Sequence, residues 1–190
     1  EEERRDLLLR ELDHRVKNTL FVAQSVAVQT ERTTATPTEF RIAFNARLRA
    51  LARAHDMLAQ RGWAGAPLDE VLRRTLEPYW PGPRPREQGA AQPGTAERVM
   101  LSGPEIVLPP NSAVTANLAF HELATNAAKH GALSVPGGRV EVSWSLQARG
   151  SGATPVAAIL WRERDGPPVR IPQHRGFGSR LLEQGVAREF

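Results

Sequence analysis

Apolar residues in the first 60 positions recur with the period of an α-helix. In the first 31 residues the spacing alternates between three and four, as in a heptad seam, although two of its members are threonines. The seam comprises Leu9, Leu12, Val16, Thr19, Ala23, Val26 and Thr30. A second apolar stripe comprises Phe40, Phe44, Leu48, Leu51 and Leu58. The pattern predicts a helix over 1–31, a turn around Pro37, and a second helix over about 39–60 that ends at Gly62.

Two antiparallel helices with one apolar stripe each form a hairpin that buries little surface alone. We therefore expect this hairpin to pair with a second copy into a four-helix bundle, which makes the protein a homodimer. No capping residue precedes Glu1. We expect the first helix to continue from an upstream domain in the same polypeptide.

The rest of the chain alternates between helical and strand patterns. We predict a short helix over 67–79, a Pro- and Gly-rich loop over 78–94, strands near 98–101 and 105–108, and a helix from Pro109 or Pro110 that Gly131 stops. Val140, Val142, Trp144 and Leu146 alternate with polar residues, which is typical of a half-buried strand over 139–146. A strand over 156–163, a loop over 167–175 and a helix over 179–189 complete an α+β fold, with domains 1–62 and 63–190.

Composition narrows the classes of protein. The 190 residues include no cysteine, which excludes disulfides and thiolate metal sites. No apolar run approaches the length of a membrane span, and we expect a cytoplasmic protein with no membrane segment in this chain. The net charge of +4 and pI of about 10.5 raise the possibility of a nucleic-acid-binding module. Acidic and basic residues are interleaved, however, and the only lysines are Lys17 and Lys129, which favours a phosphate-binding site over nucleic acid.

The first candidate for chemistry is His14. With Leu9 at heptad position a and Leu12 at d, His14 falls at f, farthest from the seam. Asn18 and Glu11 share its face of the helix. A neutral imidazole nitrogen is a good nucleophile for a phosphoryl group, and a carboxylate nearby can fix its tautomer. A solvated surface histidine is the alternative, and the helix alone favours it.

A polar stripe on the long helix before Gly131 is the second candidate. Glu122, Asn126, Lys129 and His130 fall on this stripe, whereas His121 falls outside it and outside the apolar stripe. Carboxylate and amide oxygens suit Mg²⁺, and an ammonium suits phosphates. A solvated polar face is the alternative.

Two further segments carry weaker signals. Trp161, Glu163 and Asp165 point the same way at a strand end, where a carboxylate could accept the adenine amine, although they also fit a charged turn. The glycines Gly176 and Gly178, just before Ser179 and Arg180, could let a helix N-terminus approach phosphates. The P-loop motif is missing from the sequence.

Taken together, the four segments resemble the motifs of the HWE family of bacterial sensor histidine kinases. Glu-Leu-Asp-His14-Arg-Val-Lys-Asn is similar to its phosphoacceptor box, and His121-Glu-Leu-Ala-Thr-Asn126-Ala-Ala-Lys to its N box. The N-box histidine, here His121, gives the family the first letter of its name, and Trp161-Arg-Glu163 matches the other two letters, W and E. Gly176-Phe-Gly-Ser-Arg-Leu-Leu resembles the family's second glycine box. The motifs occur in the family's order and span nearly the whole chain.

The resemblance implies autophosphorylation of His14 by Mg-ATP, followed by transfer to an aspartate of a response-regulator receiver domain. It implies a Bergerat-type ATP-binding α/β sandwich after the hairpin. Asn126, with Glu122 as a possible helper, would hold Mg²⁺, and Lys129 would lie near the phosphates. Glu163 would bind adenine, with Asp165, directly before Gly166, as a rival. The other residues of the ATP site would be His121, His130, Trp161, Gly166, Gly176, Gly178, Ser179 and Arg180.

The sequence departs from the histidine kinase pattern in two places. Many histidine kinases carry an acidic residue directly after the phosphoacceptor, where this chain has Arg15, so Glu11 or Asp13 would assist His14. The chain also ends at Phe190, before a strand that family members usually add. A serine kinase or hydrolytic ATPase of the same superfamily is the rival function, since Glu122 lies where hydrolytic relatives keep a water-activating glutamate.

Overall fold

The computed structural model describes residues 2–79, 98–147 and 156–168 of the chain. These belong to two compact units, Glu1–Ala52 and Arg53–Phe190. The boundary falls inside the second helix, whereas the predicted domain boundary at residue 62 falls just after it.

The first unit is a pair of helices, α1 (Glu2–Glu31) and the greater part of α2 (Pro37–Gln60). The sequence Thr36-Pro37-Thr38-Glu39 starts α2. The Thr36 hydroxyl accepts the Glu39 N–H at 3.2 Å, and the Glu39 carboxylate accepts the Ala35 N–H at 2.9 Å. These bonds resemble a capping box, and proline is favoured at the first helical position, so the sequence itself sets where α2 begins.

A buried polar pair joins the two helices near the turn. The Arg47 guanidinium donates to the Thr30 hydroxyl at 2.8 Å, and that hydroxyl donates to the Val26 carbonyl at 2.6 Å. Val26, Thr30 and Arg47 are all buried. Leu9, Leu12 and Val16, in the first half of the predicted seam, are exposed instead. The seam is therefore covered near the turn and presents apolar side chains toward the start of α1.

The last turns of α2 belong to the second unit and are tied to the next helix, α3 (Leu68–Leu76). Gly62 and Trp63 both adopt left-handed backbone conformations, with φ of 59° and 63°, and turn the chain after α2. Arg61 and Arg74 both pair with Glu70, and Arg74 also donates to the Gln60 side chain. Charged side chains thus hold the end of α2 against α3.

The strands that the structure describes in the second unit form two sheets. The short strands β1 (Ala66–Pro67) and β3 (Val107–Leu108) pair antiparallel. In the other sheet, β4 (Arg139–Gln147) lies between β2 (Val99–Ser102), to which it is parallel, and β5 (Val156–Arg164), to which it is antiparallel. Val140, Val142 and Trp144 are buried as predicted, whereas Leu146, near the end of β4, is 52% exposed.

The helix α4 (Pro110–Lys129) lies in the chain between β3 and β4, and Pro110 occupies its first turn. Its buried residues include Phe120, Ala124 and Ala127. Buried Asn117 contacts the Thr75 hydroxyl of α3 at 2.9 Å, so the two helices share a polar contact within the core. Over the described ranges, we find no helix that combines the length and apolar character needed to cross a membrane.

The structure confirms the predicted α+β class, with a helical N-terminal region before a sheet domain. The helices over 1–31, 39–60 and 110–129 and the strands over 139–146 and 156–163 are found within one to three residues of their predicted bounds. Most of the predicted loop over 78–94, residues 169–175 of the loop over 167–175, and the helix over 179–189 lie outside the described residues.

The Thr30–Arg47 pair yields a stability prediction. Thr30→Val keeps the side-chain shape but removes a hydrogen-bond acceptor from a buried guanidinium, which should lower the free energy of unfolding by about 1–3 kcal/mol. The matched control is Thr34→Val. The half-buried Thr34 hydroxyl donates to the Thr30 backbone carbonyl, so this hydrogen bond involves no charged group. Urea unfolding followed by circular dichroism measures both. Equal losses in the two variants would contradict a special role for the charged pair.

His55 predicts how stability depends on pH. Its ring packs edge-on against Trp63, and burial lowers the pKa of His55 below its ordinary value of 6.5, while the Asp56 carboxylate partly opposes this. The folded state therefore favours the neutral ring. The stabilisation is complete above the ordinary pKa and is lost as pH falls through the lower pKa of the folded state.

Between about pH 7 and pH 5, we expect the free energy of unfolding to decrease less in His55→Gln than in the wild-type protein. Urea unfolding at several pH values measures this slope. His130→Gln, which changes an exposed histidine, serves as the control and should keep the wild-type slope. A wild-type slope in His55→Gln would exclude His55 as its source.

Candidate functional site

The predicted phosphoacceptor lies on an open face of α1. His14 is exposed, as its heptad position predicts, and the Asn18 side-chain amide is 3.5 Å from its Nδ1 atom. The 180° orientation of an Asn amide is assigned from hydrogen bonding. The amide atom that faces Nδ1 is the nitrogen Nδ2, which donates to an unprotonated Nδ1. With the amide turned by 180°, its oxygen would accept a proton from Nδ1 and leave Nε2 as the unprotonated nitrogen.

Of the two carboxylates predicted to assist His14, the structure describes the contacts of Asp13 only. The Asp13 carboxylate forms an exposed ion pair with Lys17, 2.6 Å away and one helical turn later. This pair directs Asp13 along the helix toward Lys17. The side chain of Glu11 lies outside the described residues. The choice between the two carboxylates stays a prediction.

The polar stripe of α4 divides into a buried and an exposed part. Asn126, Lys129 and His130 are exposed at the C-terminal end of the helix, where a ligand can reach them. Glu122, one turn earlier, is only 8% exposed, and so is His121. Asn126 and Lys129 are therefore the accessible amide and ammonium groups, while Glu122 lies beneath the surface.

A compact turn follows α4 and is part of the same neighbourhood. The Gly131 N–H donates to the carbonyls of Asn126 and Ala127, both at 3.1 Å, and a single 3₁₀ turn covers Ala132–Ser134. The Ala132 N–H donates to Glu163 Oε2 of β5 at 2.8 Å. The predicted adenine-binding motif and the predicted N box therefore meet at this turn.

The carboxylates of Glu163 and Asp165 have different surroundings. Glu163 accepts from the Trp161 indole N–H at 3.2 Å through Oε1, in addition to the backbone bond through Oε2. Asp165 has a left-handed backbone (φ 54°) and pairs with Arg139 at 2.9 Å. Both residues are exposed, but Glu163 bonds to the turn after α4, whereas Asp165 pairs with the first residue of β4.

Arg98 is a residue of this neighbourhood that the sequence did not single out. Its guanidinium donates to the carbonyls of Gly138 at 3.0 Å and Val135 at 2.7 Å, and more weakly to that of Ala132 at 3.4 Å. An arginine just before a strand carries no sequence signal for such contacts, because its partners lie 34 to 40 residues later in the chain.

The available donor atoms limit the kinds of metal site. Within residues 2–79, 98–147 and 156–168, no group of three or more His, Cys, Asp or Glu side chains converges as metal ligands need to. A protein cage for a metal is therefore missing from that part of the chain. The amide oxygen of Asn126 instead suits Mg²⁺ that takes most of its ligands from phosphates and water. The glycine box with Gly176, Gly178, Ser179 and Arg180 lies outside the described residues.

Comparison with known proteins places the chain in a family. The model of the HWE histidine kinases matches residues 11–105, which include His14 and end before the N box. Proteins called blue-light-activated histidine kinase in Brucella ovis and Brucella melitensis are 38% identical over 183 residues, covering 96% of this chain and 35% of each relative. The relative of that name in Brucella anthropi is 38% identical over 176 residues, 93% of this chain and 33% of its own length.

These matches place the chain among the histidine kinases. Within that class it belongs to the HWE histidine kinase family. The chain spans about a third of the length of the curated relatives that it matches.

Proposed function

We propose that this chain is the kinase core of a sensor histidine kinase, which moves the γ-phosphoryl group of ATP onto His14. The observation that carries the proposal is the exposed His14 with the Asn18 amide at its Nδ1 atom, in a chain of this family.

In the proposed reaction, Nε2 of His14 attacks the γ-phosphorus. A nitrogen–phosphorus bond forms, the bond to the β–γ bridging oxygen breaks, and ADP leaves. Asn18 holds Nδ1 and orients the ring, and Glu11 or Asp13 favours the positive charge that the ring gains. The phosphoryl group then passes to an aspartate carboxylate of a response-regulator receiver domain.

The nucleotide site is proposed on the second unit, in a fold of the Bergerat type. The exposed C-terminal end of α4 supports it, because Asn126 and Lys129 offer an amide oxygen and an ammonium group side by side. Asn126 would hold Mg²⁺, with Glu122 as a possible helper, and Lys129 would hold phosphate oxygens. The metal would neutralise charge on the phosphates. His121, His130 and Gly166 are further proposed members, and Glu163 or Asp165 would accept the adenine amine.

The assembly proposed for the chain is a homodimer that joins through the hairpin. The exposed apolar side chains of Leu9, Leu12 and Val16 support it, because their burial against a second copy would remove them from water. An upstream sensor domain in the same polypeptide fits the greater length of the relatives. The ATP supply and the receiver domain would place the reaction in the cytoplasm.

The first test of the function is His14→Gln. This change removes the nucleophile from an exposed position, so autophosphorylation with γ-labelled ATP and Mg²⁺ should vanish, while ATP affinity stays within about twofold of wild type. The control is His55→Gln, which should still label. Label that is acid-labile and base-stable identifies phosphohistidine, whereas acid-stable label or rapid ATP hydrolysis without label would favour the serine kinase or hydrolytic ATPase.

The second test is Asn126→Ala. Loss of the amide oxygen should remove the Mg²⁺-dependent part of nucleotide binding, measured by calorimetry with a non-hydrolysable ATP analogue, and lower affinity by about tenfold or more. The exposed Asn111, at the other end of α4, provides the control Asn111→Ala, which should bind as wild type does. Unchanged affinity in Asn126→Ala would reject the proposed magnesium site.

A further inference from the structure

Ala132 occupies a closely fitted position in the turn after α4. Its side chain is fully buried. A Cβ atom on Gly138 would collide with the Ala132 carbonyl oxygen, and one on Gly166 would lie 2.9 Å from the Ala132 Cα atom. Real Cβ atoms do not approach other atoms that closely, so these two glycines make room for Ala132. The backbone of these glycines thus packs directly against Ala132.

Charged side chains of opposite sign hold the polar groups of the same turn. Glu163 accepts the Ala132 N–H, and Arg98 donates to the Gly138 and Val135 carbonyls. Hydrogen bonds to ionised groups are stronger than those between neutral groups. The turn from Gly131 to Gly138 is therefore held by a carboxylate near the end of β5 and a guanidinium just before β2.

The approach of Glu163 depends on Gly131. A Cβ atom at Gly131 would overlap Glu163 Oε2. Glu163 stands opposite the buried Val140 in the register of β4 and β5, and its other oxygen accepts from the Trp161 indole. Both oxygens of the carboxylate are thus directed at protein donors.

The turn is bonded directly to the peptide of the proposed magnesium ligand. The Gly131 N–H donates to the Asn126 carbonyl, and the next residue donates to Glu163. The last carbonyls of a helix lack partners within the helix, so the segment after the helix decides how its last turn is held. A change at Glu163 therefore reaches the end of α4 through two consecutive peptide groups.

We propose that Glu163 is a positioning residue for phosphoryl transfer: together with Arg98 it clamps the Gly131–Gly138 turn and so fixes Asn126 and Lys129, without itself contacting the adenine base. The assignment rests on the proposed function and assigns Glu163 a role other than the adenine acceptor. Asp165, which is exposed and pairs with Arg139, is then the carboxylate of the two that remains proposed for the base.

The test compares Glu163→Ala, Glu163→Gln and the control Glu141→Ala in the full chain. Glu141 is a carboxylate of the neighbouring strand β4 that pairs with Arg164 and does not bond to the turn. Autophosphorylation is measured with ATP and with inosine triphosphate, which has a carbonyl in place of the adenine amine. Amide hydrogen exchange at Gly131 and Ala132 is measured without nucleotide.

Glu163→Ala should speed exchange at both amides about tenfold and raise KM for both nucleotides by the same factor, so that their KM ratio stays at the wild-type value. Glu163→Gln, whose side-chain carbonyl can still accept the Ala132 N–H, should recover most of both losses. Glu141→Ala should behave as wild type in each measurement.

Three results would overturn the assignment. They are a change in the ratio of the two KM values in Glu163→Ala, unchanged amide exchange in that variant, or faster exchange with unchanged kinetics. If the wild-type chain labels no histidine, the proposed function fails. The positioning role is then tested by binding, and faster exchange in Glu163→Ala without a change in Mg²⁺-ATP affinity would overturn it.

Discussion

The pairing of β4 on both of its edges is the constraint on which the second unit depends. The strand runs parallel to β2 and antiparallel to β5, so the beginning of β4 meets the beginning of β2 and the end of β5. Arg98 and Glu163, 65 positions apart in the numbering, are therefore brought to opposite sides of the same turn. A shift of one residue in either pairing would turn each of these side chains to the other face of the sheet.

The same turn explains why the polar groups of α4 differ in access. Asn126, Lys129 and His130 stand at the end of the helix, where the chain leaves it and the surface opens. Glu122 and His121 lie one turn deeper and are nearly enclosed. Accessibility to a ligand thus changes over a single helical turn, although Glu122 and Asn126 lie on the same face of the helix.

Local patterns in the sequence predicted the long elements and failed at contacts between distant residues. The heptad spacing and the helix start at Pro109 or Pro110 depend on near neighbours, and the strand alternation at Val140 and Val142 depends on one buried face. Each of these is visible in a short window of sequence. Pro37 was predicted to lie in the turn and is instead the first residue of α2.

The clamp at Ala132 is not visible in such a window. Gly131 and Gly138 resemble ordinary turn glycines in the sequence. A Cβ atom would nevertheless overlap the Glu163 carboxylate at Gly131 and the Ala132 carbonyl oxygen at Gly138. Arg98 gives no signal at all, since its carbonyl partners are defined only once the sheet register is known. Leu146 is exposed although it continues the alternation of buried Val142 and Trp144, so alternation alone did not predict where burial of the strand ends.

The Thr30–Arg47 bond limits how the two hairpin helices can move. Sliding one helix along the other by one turn would displace the guanidinium by about 5.4 Å and leave a buried charge and a buried hydroxyl without each other. An apolar seam alone tolerates such a slide, because one aliphatic contact replaces another. The Thr30–Arg47 bond therefore favours a single register of the two helices near their turn. Bending or rotation of the helices toward the start of α1 keeps this bond, so it requires less free energy than sliding one helix along the other.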